Sequence, residues 1–237
     1  MVKRIFRISA ANVFKIISFA LLLASTAALT ACDETQAVRL NQGGTSAAVF
    51  GSSCQDNSSD EICIGLKYVV YQDSEGNSVT DEAAARENLE GINRVWKQCG
   101  IAFQIEKYEV VDPSHEGLSF GGMRSQSQTD RIRKQYEDDS RFLIVTTGAW
   151  HAQKNAWTTP PGDAPYGAVM EGGISSGYSE IYAHELGHYL NLDHVTQGVS
   201  SNVMSTVIGH RSTELDHSQC REARATAKLF WAHMLRG

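Results

Sequence analysis

Three histidines and one glutamate lie within the eleven residues HELGHYLNLDH, which run from His184 to His194. On an α-helix, His184 and His188 would share one face, so both imidazoles could reach one cation. Glu185 directly follows the first histidine. Two neutral imidazoles beside a carboxylate form an arrangement that binds Zn²⁺ and leaves the carboxylate to take a proton from a metal-bound water. The spacing therefore predicts a zinc site with its own proton acceptor.

His194 can join that site only if the helix stops. It lies six residues after His188, which on a continued helix would place it on roughly the opposite face. The chain must therefore reverse near Asn191. Such a reversal usually needs a residue with positive φ, and asparagine is the commonest substitute for glycine in that conformation. We therefore predict that the helix ends near Asn191 and that three histidines converge.

The stretch from His184 to Met204 resembles the metzincin clan of zinc endopeptidases, whose pattern is HExxHxxGxxH followed by a methionine in a tight turn. Asn191 stands where the clan most often has glycine, and Met204 follows His194 by ten residues. The resemblance implies that the three histidines bind zinc, that Glu185 is the general base, and that Met204 forms a floor beneath the metal. It also implies a zincin-like, single-domain α+β fold, with a twisted mixed sheet, backing helices, an active-site helix and a carboxy-terminal helix.

The amino terminus has the layout of an export signal. Basic residues precede an apolar stretch from Ile16 to Leu29, which is short for a membrane-spanning helix and ends in small residues. Residues 29 to 32, Leu-Thr-Ala-Cys, resemble the lipobox of bacterial lipoproteins, in which the cysteine is acylated. We therefore expect residues 1 to 31 to be a lipoprotein signal peptide and Cys32 to carry a lipid anchor. The alternative is an ordinary secretory cleavage after Ala31.

An anchored protein of this kind would lie in the bacterial cell envelope, at the periplasmic face of the inner membrane or at the outer membrane or cell surface. Without residues 1 to 31, the chain has 17 Lys and Arg against 27 Asp and Glu, a net charge of −10. This balance argues against nucleic acid and against charge-driven adhesion to anionic headgroups. The expected partners are a protein or peptide substrate and, through the lipid on Cys32, a membrane. We expect a monomer.

Four cysteines remain after Cys32, and an even number in an exported chain favours two disulfides, for which three pairings exist. We favour Cys54 with Cys63, which closes a short loop, and Cys99 with Cys220. In the alternative, which is similar to the cysteine switch of some metzincin relatives, Cys54 or Cys63 is a thiolate that binds the zinc in a latent form.

Composition divides the rest of the chain into a tether and a domain. Residues 32 to 60 are rich in Ser, Gly, Asn and Gln, which is typical of a flexible tether and leading loop, so the catalytic domain is expected over residues 61 to 237. Helical patterns predict a long amphipathic helix over Thr80 to Cys99, a polar helix within residues 112 to 140, and a carboxy-terminal helix over Leu215 to Leu235. Strands are predicted for ICIGLKYVVYQ, IAFQIEKYEVV, RFLIVTTG and YGAVMEGG. The predicted polar helix separates the second of these strands from the third. This strand, helix, strand order predicts that the two strands are parallel neighbours in the sheet.

The resemblance also implies how a peptide would bind. An edge strand formed by Gly167, Ala168, Val169 and Met170 would hold an extended peptide by strand addition. Residues 205 to 211 would line the pocket just past the scissile bond. The tyrosine that some relatives carry two residues after the methionine is replaced by Thr206, and the candidate substitutes are His210 and Tyr178.

These predictions together favour a zinc-dependent endopeptidase. Two other functions stay open at this point. One is a non-catalytic, zinc-bearing surface lipoprotein, against which an intact Glu185 argues because a pure binder needs no base. The other is a metallohydrolase of a different amide, such as cell-wall peptide.

Overall fold

The computed structural model describes Cys54 and residues 60 to 122, 125 to 152, 154 to 175, 177 to 195 and 200 to 236. These residues all belong to one compact unit of the chain. The predicted signal peptide, Cys32 and most of the predicted tether lie outside the described residues. Within the described part of the chain, no helix combines the length and the apolar character needed to cross a bilayer.

The described residues form six strands and five α-helices. In chain order these are β1 (Ile62–Tyr71), α1 (Glu82–Trp96), β2 (Ile101–Val111), α2 (Gln126–Tyr136), β3 (Phe142–Thr147), β4 (Ala156–Thr158), β5 (Ala168–Glu171), α3 (Gly172–Ser175), α4 (Ser179–Tyr189), α5 (His217–Leu229) and β6 (Leu235–Arg236). The predicted α+β class is confirmed, and so are a helix that carries the HELGHY stretch and a helix near the carboxy terminus.

One sheet with the strand order β2-β1-β3-β5-β4 organises the domain, and β6 pairs with β1. The strands β2, β1, β3 and β5 run parallel, whereas β4 is antiparallel to β5. The predicted parallel orientation of β2 and β3 is confirmed. Their predicted adjacency is wrong, because β1 lies between them and pairs with both.

The central strand β1 is buried on both faces, as is usual for a strand inside a largely parallel sheet. Its side chains alternate between two apolar clusters. Leu66 and Tyr68 belong to the larger cluster, which includes residues of α1 and the histidine-bearing helix α4. Val69 and Tyr71 belong to the smaller cluster, which includes residues of α2. The sheet is therefore sandwiched between helices, and α4 lies on the face that also carries α1.

The predicted peptide-binding edge at Gly167, Ala168, Val169 and Met170 is wrong. Three of these residues lie in β5, which pairs with β3 on one side and with β4 on the other, and their side chains are fully buried. The edge of the sheet is β4 instead. This strand is only three residues long, too short for an alternating pattern to reveal it in the sequence.

Two helix boundaries also differ from the prediction. Helix α1 begins after Asp81, whose carboxylate accepts a hydrogen bond from the Ala84 N–H at 2.8 Å, so Asp81 is the cap rather than Thr80. Helix α5 ends at Leu229 and does not continue to Leu235. The indole of Trp231 donates to the Tyr189 carbonyl, and the chain then returns to the sheet as β6.

Both predicted disulfides are present, Cys54 with Cys63 and Cys99 with Cys220. The second bond joins the end of α1 to α5 across 121 residues of sequence. Because Cys54 and Cys63 are bonded to each other, the alternative in which one of them binds zinc as a free thiolate is wrong.

Candidate metal centre

Helix α4 and the turn after it position the three histidines. The N–H of Leu192 donates to the Gly187 carbonyl at 2.9 Å, and the N–H of Asn191 donates to the His188 carbonyl at 3.1 Å. This pair of bonds is the Schellman motif, which needs a left-handed residue directly after the helix. Asn191 supplies it with φ of 66°. The predicted reversal is therefore present, and it returns His194 to the face of α4 that carries the other two histidines.

The three imidazoles converge through their Nε2 atoms. The distance between His184 and His188 is 3.1 Å, and His194 lies 3.2 Å from each of them. Backbone carbonyls hold two of the rings in their orientation. The Nδ1 of His184 lies 2.7 Å from the Val203 carbonyl, and the Nδ1 of His188 lies 2.8 Å from the Leu192 carbonyl. A carbonyl oxygen only accepts, so each Nδ1 carries the proton and each Nε2 presents its lone pair.

This donor set suits zinc. Nitrogen lone pairs about 3 Å apart repel one another unless a proton or a cation lies between them. Zinc binds histidine nitrogen at about 2.0–2.1 Å in a tetrahedral arrangement, which places two ligand atoms about 3.3 Å apart, close to the separations found here. Among the described residues, no cysteine or carboxylate joins the three histidines as a fourth ligand. A three-ligand set of this kind is typical of catalytic rather than structural zinc sites.

Burial favours the neutral form of two of the three imidazoles, and the neutral form is the one that can bind a metal. Burial lowers the pKa of His184 to about 4, although the hydrogen bond to Val203 opposes this change. Burial also lowers the pKa of His188, against the attraction of the nearby Glu185 carboxylate. Near neutral pH, both imidazoles could therefore bind a metal without first losing a proton.

Glu185 is buried beside the histidines, and its Oε2 accepts a hydrogen bond from the Thr158 hydroxyl at 2.5 Å. Burial raises its pKa, whereas the neighbouring imidazoles and the Thr158 hydroxyl lower it. A carboxylate with a raised pKa is a better proton acceptor near neutral pH than an exposed one. The structure therefore places a carboxylate that can accept a proton next to the three histidines.

The turn that contains Met204 packs under α4. The Val203 carbonyl orients His184, and the Met204 carbonyl accepts a hydrogen bond from the N–H of Val195, the residue after His194. Met204 is fully buried, and a side chain at Gly187 would begin 2.3 Å from its sulfur. Glycine in the middle of α4 thus allows the Met204 side chain to approach the helix closely.

A cleft of about 600 Å³ opens at the histidines. Its walls include the edge strand β4 together with Thr206, Val207 and Ile208. The two candidate substitutes for the missing tyrosine, His210 and Tyr178, do not line this cleft. Their rings stack on each other with centroids 4.2 Å apart.

Strand β4 lines the cleft, and one of its two sides pairs with no other strand of the described residues. The Glu171 N–H donates to the Asn155 carbonyl at 2.8 Å, so these two residues form a hydrogen-bonded pair. Antiparallel pairs alternate, which makes Trp157 the next residue bonded to β5 and turns the N–H and C=O groups of Ala156 and Thr158 toward the free edge. No other strand of the described residues pairs with that edge.

The fold, but not the sequence, is similar to those of known proteins. No family model matches the chain, and no curated protein matches it. Mirolysin, solved in complex with a compound, shares 12% identity over 74% of this chain and 96% of its own, with a TM-score of 0.57. Metalloproteinase-II from Bacteroides fragilis shares 16% identity over 74% of this chain, with a TM-score of 0.48. This chain spans about half the length (52%) of the Bacteroides protein. The similarity to mirolysin shows a common fold.

Two residues of the site were not predicted from the sequence. Gly187 lies inside the HELGH motif, and a glycine within a helical pattern was the available signal for a close approach at that position. Thr158 gave no signal, since it lies 27 residues before Glu185 in a strand of three residues.

Proposed function

We propose that this protein is a zinc-dependent endopeptidase. The observation that carries the proposal is the convergence of three imidazole Nε2 atoms within 3.2 Å of one another, beside the buried Glu185 and at the free edge of a sheet. The fold shared with mirolysin supports the proposal at the level of the fold. His184, His188 and His194 would hold the ion.

A zinc ion held by these imidazoles would supply the Lewis-acid chemistry that makes water nucleophilic near neutral pH and polarises a carbonyl. Glu185 would accept the proton of the attacking water and pass it to the departing amine. The Val203 and Leu192 carbonyls would keep two of the ligand rings in the required tautomer. The Thr158 hydroxyl donates to the Glu185 carboxylate. This bond is therefore compatible with an ionised Glu185 that accepts a proton.

The peptide would bind as an added strand along β4, through the backbone of Ala156 and Thr158. This places it one strand away from the edge that the sequence predicted. Val207 and Ile208 also line the cleft, and we propose that they contact an apolar substrate side chain just past the scissile bond.

We also propose that Cys32 carries a lipid that anchors a monomeric enzyme in the bacterial cell envelope. The lipobox-like residues 29 to 32 support this part of the proposal. Replacing Cys32 by serine should move the protein out of the membrane fraction or leave its signal uncleaved. Unchanged fractionation, together with a native amino terminus that carries no lipid mass, would reject the anchor.

The peptidase proposal is tested by incubating residues 32 to 237 with an unfolded protein, before and after removal of metal by a chelator. We expect cleavage that the chelator abolishes and that added zinc restores. Hydrolysis of cell-wall peptide without cleavage of the unfolded protein would instead indicate a hydrolase of another amide. Zinc binding without hydrolysis of either substrate would identify a non-catalytic protein and contradict the proposal.

A further inference from the structure

We propose that Thr158 is a positioning residue for Glu185, an inference that rests on the proposed peptidase function. The Thr158 hydroxyl donates to Oε2 of Glu185 at 2.5 Å. The hydrogen bond joins the edge strand β4 to the active-site helix α4, and both residues are buried, with exposures of 7% and 5%. The donor and the acceptor thus come from two different elements that both line the cleft.

The donor is held more rigidly than the acceptor. Threonine is β-branched and has few side-chain rotamers, and the preceding residue, Trp157, is bonded to β5 and holds this end of β4 in the sheet. Glutamate has three side-chain torsions, so its carboxylate needs an external partner to stay in one orientation. A hydrogen bond from Thr158 to one carboxylate oxygen fixes the plane of the group and thus the direction in which it accepts a proton.

The same residue also faces the proposed peptide. By the alternation of the β4–β5 pairing, the N–H and C=O groups of Thr158 point to the free edge while its side chain points to Glu185. A peptide added to β4 would therefore bond to the backbone of the residue that orients the base. Substrate binding and base orientation would depend on one residue.

The adjacent residue provides a matched control. Thr159 is buried to the same degree, with an exposure of 8%, and its hydroxyl has no hydrogen-bond partner among the described residues. Replacing either threonine by valine removes a buried hydroxyl and keeps the shape of the side chain. Only the change at position 158 removes a bond to Glu185.

The experiment compares the zinc-loaded chain with its Thr158→Val, Thr158→Ser and Thr159→Val variants on one peptide substrate. Loss of a hydrogen bond to a charged group should lower kcat of Thr158→Val about tenfold to hundredfold while KM changes by less than about twofold. Thr158→Ser keeps the hydroxyl and should retain kcat within about threefold, a partial loss that reflects its freer rotamer. Thr159→Val should match the wild type. Zinc content should be equal in all four proteins.

A kcat of Thr158→Val equal to that of the active wild type would overturn the role of Thr158, and so would an equal loss in Thr159→Val. If Thr158→Val does not fold, Thr158→Ser and Thr158→Ala decide the question, because they differ by one hydroxyl. Equal kcat values in that pair contradict the proposal, whereas a loss confined to alanine supports it. A zinc-loaded wild type that cleaves no peptide contradicts the proposed function itself and is thereby distinguishable from both results.

Discussion

Replacing Asn191 by valine should weaken zinc binding, although this residue supplies none of the three imidazoles. Asn191 has φ of 66° and lies between the ligands His188 and His194. The left-handed conformation costs a residue other than glycine, asparagine or aspartate about 1–2 kcal/mol of conformational free energy. For a β-branched residue the cost lies in the upper part of that range or above it. If the turn opens to relieve about 2 kcal/mol of strain, His194 moves away and Kd for zinc rises about 30-fold.

Two controls separate strain from the loss of the asparagine side chain. Asn191→Gly removes the penalty of the Cβ atom and also removes the hydrogen bond that the Asn191 amide donates to Glu222 at 2.8 Å. Glu222→Ala removes that same bond and keeps the asparagine. Because the bond is exposed and contributes little, both variants should bind zinc within about threefold of the wild type.

The assay is a competition titration with a chromophoric zinc chelator, and circular dichroism confirms that each variant is folded. We expect similar Kd values for zinc in the wild type, Asn191→Gly and Glu222→Ala. The Kd of Asn191→Val should be about 30-fold higher. Equal zinc affinity of Asn191→Val and Asn191→Gly would refute the reasoning, since it would mean that the left-handed turn does not position His194.

Three further predictions concern the ligand set and the frame that supports it. Loss of a residue that only hydrogen-bonds to a metal ligand lowers metal affinity about 10–100-fold, and His194→Ala should lower the zinc affinity by more than this. The same titration measures that affinity. Changing Cys99 and Cys220 together to serine should lower the free energy of unfolding by about 5 kcal/mol in a denaturant titration, because the bond closes a loop of 121 residues. Burial raises the pKa of Glu106, but the hydrogen bonds from Arg236 and its charge outweigh this effect and lower the pKa overall. The ionised form of Glu106 therefore stabilises the fold above its unfolded pKa, and Glu106→Gln should reduce the stability at pH 7 and lessen the further loss between pH 5 and pH 3.

The parts of the site that the sequence predicted are those in which the chemistry is local. His184, Glu185 and His188 occupy one turn of one helix, so helical periodicity alone places them together. The reversal to His194 follows from one residue, Asn191, whose preference for positive φ is intrinsic.

The edge strand could not be predicted in the same way. Ala156–Thr158 is too short for a period-2 pattern, whereas the apolar run at Ala168–Glu171 resembles any buried strand. Which of the two lies at the edge is decided by pairing between distant segments. The bond from Thr158 to Glu185 depends on that same pairing, so it becomes visible only in the folded protein.

The end of the carboxy-terminal helix was also set by tertiary contacts. The apolar spacing of Phe230 and Trp231 continues the helical pattern of α5, yet the helix stops at Leu229. The buried Trp231 packs edge-on against Phe142 and Tyr189 and donates its indole N–H to the Tyr189 carbonyl. Burial of one large side chain therefore outweighed the local helical preference.

The central claim is that Glu185 acts as the base for a zinc held by three histidines. It is tested most directly by measuring bound zinc and peptide hydrolysis on the same sample of wild type and of Glu185→Ala. We predict one zinc per chain in both proteins and hydrolysis reduced by at least about 100-fold in the variant, the size of effect that removal of a general base commonly has. A zinc-loaded Glu185→Ala protein that hydrolyses peptide at the wild-type rate would contradict the claim.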